Sequence, residues 1–116
     1  MRIGELARLT GIAPSAIRYY EERDMFSPGQ ILRSSSGYRD YTPAARQRLD
    51  LILAGRAAGL SLDRMRTQMA NWDTMSDSAR ADLLDEQRVR LDEQIAVLTR
   101  SRDTVAAASA RFRSGG

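Results

Sequence analysis

The stretch Ile3–Glu21, IGELARLTGIAPSAIRYYE, decides how the rest of the chain is read. Ile3, Leu6 and Ala7 recur at helical spacing, Thr10-Gly11 breaks the pattern, and Ile12, Ala16, Ile17 and Tyr20 resume it. Two short amphipathic helices joined through a glycine make a helix-turn-helix, whose second helix lies in the major groove of DNA. On that helix Ser15, Arg18 and Tyr19 share a face by i,i+3 and i,i+4 spacing, away from the apolar stripe. Pro14 suits the first helical position, while Ala13 at the N-cap offers no side-chain acceptor, a loss of about 1 kcal/mol.

Working outward, the pattern turns extended. Ile31-Leu32-Arg33 and Tyr38-Arg39-Asp40-Tyr41 are strand candidates around the turn-rich Ser34-Ser35-Ser36-Gly37, which predicts a hairpin wing. Arg33 and Arg39 fall where such a hairpin crosses the backbone of a duplex. Tyr38 or Tyr41 has to pack beneath it, because a two-stranded ribbon alone is marginal. Thr42-Pro43 caps and opens a third helix with Leu49, Leu51, Ile52 and Leu53 on its buried side, and Gly59 closes it. Arg56, in its last turn, can satisfy helix carbonyls. Ser61 caps a fourth helix that buries Leu62, Met65 and Met69.

Residues 1–70 thus read as a head, 71–76 around Trp72 and Met75 as a linker, 77–113 as one long helix and 114–116 as a frayed tail. Along the long helix Leu84, Leu91, Leu98, Val105 and Phe112 recur every seventh residue, with Ile95 on the flanking seam. A helix of that length runs on the order of 55 Å. It is too long to hide its stripe against so small a head, so the helix of a second copy covers it and a homodimer is expected. Arg88 and Arg102 interrupt the seam, the kind of polar position that sets register or orientation.

Composition narrows the function classes. A chain of 116 residues that is 42% hydrophobic suits one modest domain with an appendage rather than a large enzymatic cleft. Paired carboxylates suited to acid–base work are also missing outside a charged helical surface, so no enzyme is expected. With no cysteine and no histidine, a disulfide framework, a thiolate redox centre and the usual soft-metal sites are excluded, and neither metal nor cofactor is expected. No apolar run approaches a membrane span and no signal peptide opens the chain, so the expected location is cytoplasmic with no membrane partner. Residues 1–72 hold 11 Arg against 7 acidic residues, net +4, whereas residues 73–116 hold 7 against 8, net −1. The basic excess therefore sits with the reading head, as a phosphate-facing surface requires. All 18 basic residues are Arg; the bidentate fork of Arg suits phosphate and guanine, and a codon bias of the genome accounts equally well for the missing Lys.

The run IGELARLTGI followed by IRYYE, then GYRDYT, then AAGLSLDRM, resembles the MerR family of bacterial transcription regulators across residues 1–70. The resemblance implies a mostly α fold, a winged helix-turn-helix DNA-binding head with a short β-hairpin wing, followed by a long dimerisation helix paired as an antiparallel coiled coil. It implies a DNA-binding set of Ser15, Arg18 and Tyr19 on the recognition helix and Arg33, Tyr38 and Arg39 on the wing, with Arg56 further on. The arginine of GYR, Arg39, and the basic residue at Arg56 are the ones it assigns to phosphates. The implied partners are double-stranded promoter DNA bearing an inverted repeat and, indirectly, RNA polymerase, served by bending and untwisting an over-long promoter spacer.

Two departures stand out. Ala13 replaces the usual Ser or Thr cap, and Asp24-Met25-Phe26 replaces Gly-Leu-Leu, losing a glycine suited to positive φ, a conformation Asp tolerates at some cost. Members that sense metals or redox state use cysteines near the end of the dimer helix, and drug sensors append a ligand domain; neither mode carries over, and the effector is unassigned. A small effector would find Met69, Trp72, Met75 and Phe112, a cluster that core and dimer packing also explain. The alternatives are an architectural or excisionase-like winged-helix DNA-binding protein, an interaction adaptor, and a simple repressor without effector control.

Overall fold

Gly11 makes the first turn. In the computed structural model, which describes residues 1–115, helix α1 (Ile3–Thr10) stops where Gly11 takes the left-handed conformation, φ 75°, and donates its N–H to Ala7 O at 2.9 Å. Helix α2 (Pro14–Glu22) follows at once, with Pro14 in the first turn and no side-chain cap from Ala13. Beyond α2 the turn is left-handed at Asp24, φ 59°, the one non-glycine with positive φ among the described residues. The Asp24 N–H donates to Glu21 O at 3.0 Å and the Met25 N–H to Tyr20 O at 3.1 Å, which holds that strained residue in place.

Strands β1 (Ile31–Arg33) and β2 (Arg39–Tyr41) form an antiparallel pair with Ile31 opposite Tyr41, Leu32 opposite Asp40 and Arg33 opposite Arg39. Gly37, at φ 85°, turns the chain between them and donates to Ser34 O at 2.9 Å. The tyrosine beneath the hairpin is Tyr41, with no exposed surface, whereas Tyr38 is 54% exposed. Alternation along the strand lets only one of the two pack inward, since Arg39 and Tyr41 share one side and residues 38 and 40 the other, and the packing of β2 on the first and third helices of the head selects Tyr41. The Tyr41 N–H also donates to Met1 O at 2.7 Å, so the chain start lies along the hairpin edge.

Helix α3 (Pro43–Ala57) is capped by Thr42 Oγ1, which accepts from the Ala45 N–H at 3.2 Å, and α4 (Leu62–Gln68) by Ser61 Oγ, which accepts from Arg64 N–H at 3.1 Å. One core joins Leu6, Ala7, Ile17, Tyr41, Ala45 and Leu49; a second joins Met25, Ile52 and Met65, and Tyr20 packs against both. Side chains at 45, 48, 49 and 52 form the buried stripe of α3, so its fourth member is Arg48 and the expected Leu51 is only half-buried. Arg48 Nη1 donates to Met25 O at 3.0 Å and Nη2 donates to Ser27 Oγ, while Asp73 lies 4.0 Å away and the Trp72 ring 5.9 Å from the guanidinium. A single buried cation thereby ties α3 to the loop after α2 and to the end of the head.

The chain falls into two compact units, Met1–Asp73 and the segment from Thr74 onward. A short 3-10 turn at Trp72–Thr74 precedes α5 (Asp77–Arg113), which Ser76 Oγ caps by accepting from the Ala79 N–H at 3.1 Å. None of the 37 residues of α5 is buried. Its heptad residues rise in exposure from 38% at Leu91 to 69% at Leu98 and Val105 and 82% at Phe112. Arg88 is held between Asp85 at 3.7 Å and Asp92 at 3.5 Å, and Arg102 lies against Asp103 at 3.1 Å. Among the described residues no helix is long and apolar enough to cross a membrane. Gly116 of the expected tail lies outside the described residues.

Removing the Arg48 donors strands the buried Met25 carbonyl. Arg48→Met therefore lowers the stability of the head by about 1–3 kcal/mol, measured as a shift in urea midpoint at constant slope.

Candidate nucleic-acid interface

Ser15, Arg18 and Tyr19 are all exposed on α2, on the opposite side from buried Ile17. Tyr19 is held edge-on to Tyr20, ring centroids 5.8 Å apart, with the Arg23 guanidinium 4.7 Å above its ring. Tyr20 anchors in the two cores while Tyr19 stays available at 43% exposure. The helix thus presents a hydroxyl, a guanidinium fork and an aromatic ring, groups that reach base edges or phosphates.

Both wing arginines, Arg33 and Arg39, are exposed and directly opposed across the hairpin. Like charges facing each other destabilise a strand pair, and Glu21 on α2 offsets the repulsion. Arg39 Nε donates to Glu21 Oε1 at 2.7 Å, and the Tyr41 hydroxyl donates to Glu21 Oε2 at 3.2 Å. That hydrogen bond and the carboxylate charge push the pKa of Arg39 further up. Burial, then the charge of Glu21 and its hydrogen bond, push the Tyr41 hydroxyl up to about 12 against the pull of Arg39 and Arg18. Tyr38 lies under the Arg2 guanidinium, 3.9 Å from its ring centroid, a contact that orients the ring at the hairpin surface.

The remaining candidate residues lie on different elements. Arg56 is exposed, and its Nη1 donates to Leu60 O at 3.1 Å, closing the turn between α3 and α4. Met69 lines a hollow of about 360 Å³ in the head together with Asp24, Phe26, Arg48, Arg66 and Asp73. Trp72 belongs to the head, and Met75 and Phe112 to the second unit. Among the described residues no group of acidic side chains is placed to hold a metal ion. Sequence reading missed Glu21, Arg2 and Arg48. Arg48 alone left a signal, its place on the apolar stripe of α3, because the partners of Glu21 and Arg2 are set by how separate elements meet.

A head of this kind, with an exposed polar recognition helix and a cationic hairpin beside it, defines a winged helix-turn-helix DNA-binding protein. The model of the MerR HTH family regulatory protein matches residues 1–72, and that described as "MerR, DNA binding" matches residues 46–108. An uncharacterized HTH-type transcriptional regulator of Pseudomonas aeruginosa is 38% identical over 107 residues, covering 90% of this chain and 80% of its own. The HTH-type transcriptional regulator ZntR of Escherichia coli is 42% identical over 65 residues, covering 56% of this chain and 45% of its own. HiNmlR, a MerR family regulator lacking the sensor domain, was crystallised bound to promoter DNA; it superposes with a TM-score of 0.72 at 25% identity, over 89% of this chain and 78% of that one. A MerR family regulator from Listeria monocytogenes gives a TM-score of 0.72 at 29% identity, over 90% of this chain and 80% of that one. The chain belongs to the MerR family of helix-turn-helix transcription regulators, and it is a DNA-binding regulator of that type.

The buried tyrosine gives a pH signature. The folded Tyr41 hydroxyl titrates near 12 against 10.0 in the free side chain, so the protonated form carries stability that is complete below pH 10 and lost as pH rises toward 12. Urea midpoints should fall over that window in the wild type and fall less in Tyr41→Phe.

Proposed function

We propose that this protein acts as a homodimer on promoter DNA carrying an inverted repeat, with residues 1–70 as the reading head, 71–76 as the linker and 77–113 as the dimerisation helix. The observation that carries the proposal is the seven-residue apolar stripe of α5, exposed along its whole length in the single chain. A long helix in water with no buried residue lacks the tertiary packing that stabilises most helices, and a second copy supplies it. Antiparallel pairing as a coiled coil, with Leu84, Leu91, Ile95, Leu98, Val105 and Phe112 in the seam, follows the family pattern. A two-fold dimer presents two identical heads, hence the inverted repeat.

Ser15 and Arg18 read bases; Tyr19, Arg33, Tyr38, Arg39 and Arg56 hold the backbone. That HiNmlR was crystallised with promoter DNA supports the choice of target. Gripping a duplex at two points and drawing in its flanks bends the spacer, and bends of 40–90° cost roughly 1–6 kcal/mol, within reach of several charge-assisted phosphate contacts per head. Bending and untwisting an over-long spacer realigns the promoter for RNA polymerase, in the cytoplasm where that DNA resides. Any effector would be a small molecule meeting Met69, Trp72, Met75 or Phe112.

Sedimentation of the wild type at micromolar concentration should give a dimer. Leu91→Arg or Leu98→Arg should give monomers with much weakened DNA binding, since each places an unpaired charge in the seam once per chain, a cost of about 3–5 kcal/mol; a wild-type monomer contradicts the proposal. Transcription from an over-long promoter spacer should rise with the protein and become independent of it when the spacer is shortened by a base pair or two. A bound promoter indifferent to spacer length would instead indicate a simple repressor.

A further inference from the structure

Arg39 is attached to the head by one end only. Its Nε donates to Glu21 Oε1 at 2.7 Å, and among the described residues its two Nη groups make no hydrogen bond. Glu21 Oε2 is taken by the Tyr41 hydroxyl at 3.2 Å, so the carboxylate does not engage the guanidinium through both oxygens. The Tyr41 side chain is fully buried, the Glu21 side chain 24% exposed and the Arg39 side chain 41% exposed. A chain of contacts thus runs outward from core hydroxyl to carboxylate to guanidinium.

We propose that Glu21 is a positioning residue for DNA binding: anchored by Tyr41, it fixes Arg39 by its Nε and leaves both Nη groups presented to one backbone phosphate. The proposal rests on the assignment of Arg39 to phosphate contact and extends it to a residue that touches no DNA.

Four physical points favour positioning over mere neutralisation. A carboxylate acting as a competitor for the guanidinium would occupy the side-on or end-on fork, where two parallel hydrogen bonds are gained; here one oxygen is committed elsewhere. A free Arg side chain surrenders several rotamers on meeting phosphate, and one already fixed surrenders fewer, so the contact forms at lower entropic cost. Arg33 opposes Arg39 across the hairpin. Without Glu21 the two cations repel and the Arg39 side chain swings away from its neighbour. Glu21 also lies on α2 while Arg39 lies on β2, so the contact sets the wing relative to the recognition helix.

The test is the salt dependence of binding to a fluorescein-labelled random-sequence duplex, read by anisotropy, for wild type, Arg39→Ala, Glu21→Ala, their double variant and Tyr41→Phe. Arg39→Ala should weaken binding about tenfold and lower the salt slope by about 1, the signature of one phosphate contact. Glu21→Ala should do nearly the same although Arg39 is intact, and the double variant should bind no more weakly than either single one. Tyr41→Phe, which keeps the core filled, should weaken binding in the wild-type background and have no effect beside Arg39→Ala. An unchanged slope in Arg39→Ala would overturn the phosphate assignment itself. A normal Arg39→Ala effect with Glu21→Ala binding as well as or better than wild type, or with additive losses, would overturn the positioning role alone. If Glu21→Ala fails to fold, the Tyr41→Phe pair decides, and equal losses in both backgrounds count against the proposal.

Discussion

Burial of Tyr41 is the constraint on which the head depends. Its ring fills the space among Leu6, Ala7, Ile17, Ala45 and Leu49, so α1, α2 and α3 close around a residue of the hairpin. A hairpin of three-residue strands has little stability of its own, and packing its last residue into the helical core makes it part of the domain. A buried hydroxyl needs a partner, and Glu21 supplies one at 3.2 Å. Because Glu21 also meets Arg39, the requirement to satisfy one core hydroxyl settles where a wing cation stands.

A second polar centre works in the same manner where α3 meets the loop after α2. Arg48 is 8% exposed and reaches the Met25 carbonyl and Ser27 in the loop that carries the chain from α2 to the wing. Asp73 and Trp72 lie beside the same guanidinium. Charged groups at such depth persist only when their donors are met, and meeting them here makes three segments distant in sequence dependent on one side chain. The head therefore combines a small apolar core with two buried polar anchors, each linked to a surface element.

The fold class was legible because local signals agreed with one another. Gly11 ends α1, Pro14 opens α2, Thr42 and Ser61 cap α3 and α4, and apolar spacing marks the buried side of each helix. Asp24 takes the positive φ that its place after α2 demands. Less legible was everything that depends on how elements meet. Strand alternation alone could not say which of Tyr38 and Tyr41 goes inward until the packing of β2 on α1 and α3 chose, and Glu21 and Arg39 lie 18 residues apart on different elements. Arg48 is hard to recognise as an anchor because a charged residue on an apolar stripe ordinarily stays at the surface unless it finds partners. For the candidate interface, sequence and resemblance supplied residue types and faces, while the structure supplied the neighbours that orient them. Family membership accounts for the class of function, but the roles of single arginines rest on the electrostatics of the head.

The central claim is that two identical heads read DNA as a symmetric pair. Selection of bound sequences from a random duplex pool, followed by footprinting of the winners, tests it directly. The account predicts an inverted repeat with two protected half-sites of equal strength and one dimer bound per site. A single asymmetric half-site, or enrichment of no sequence at all, would contradict it.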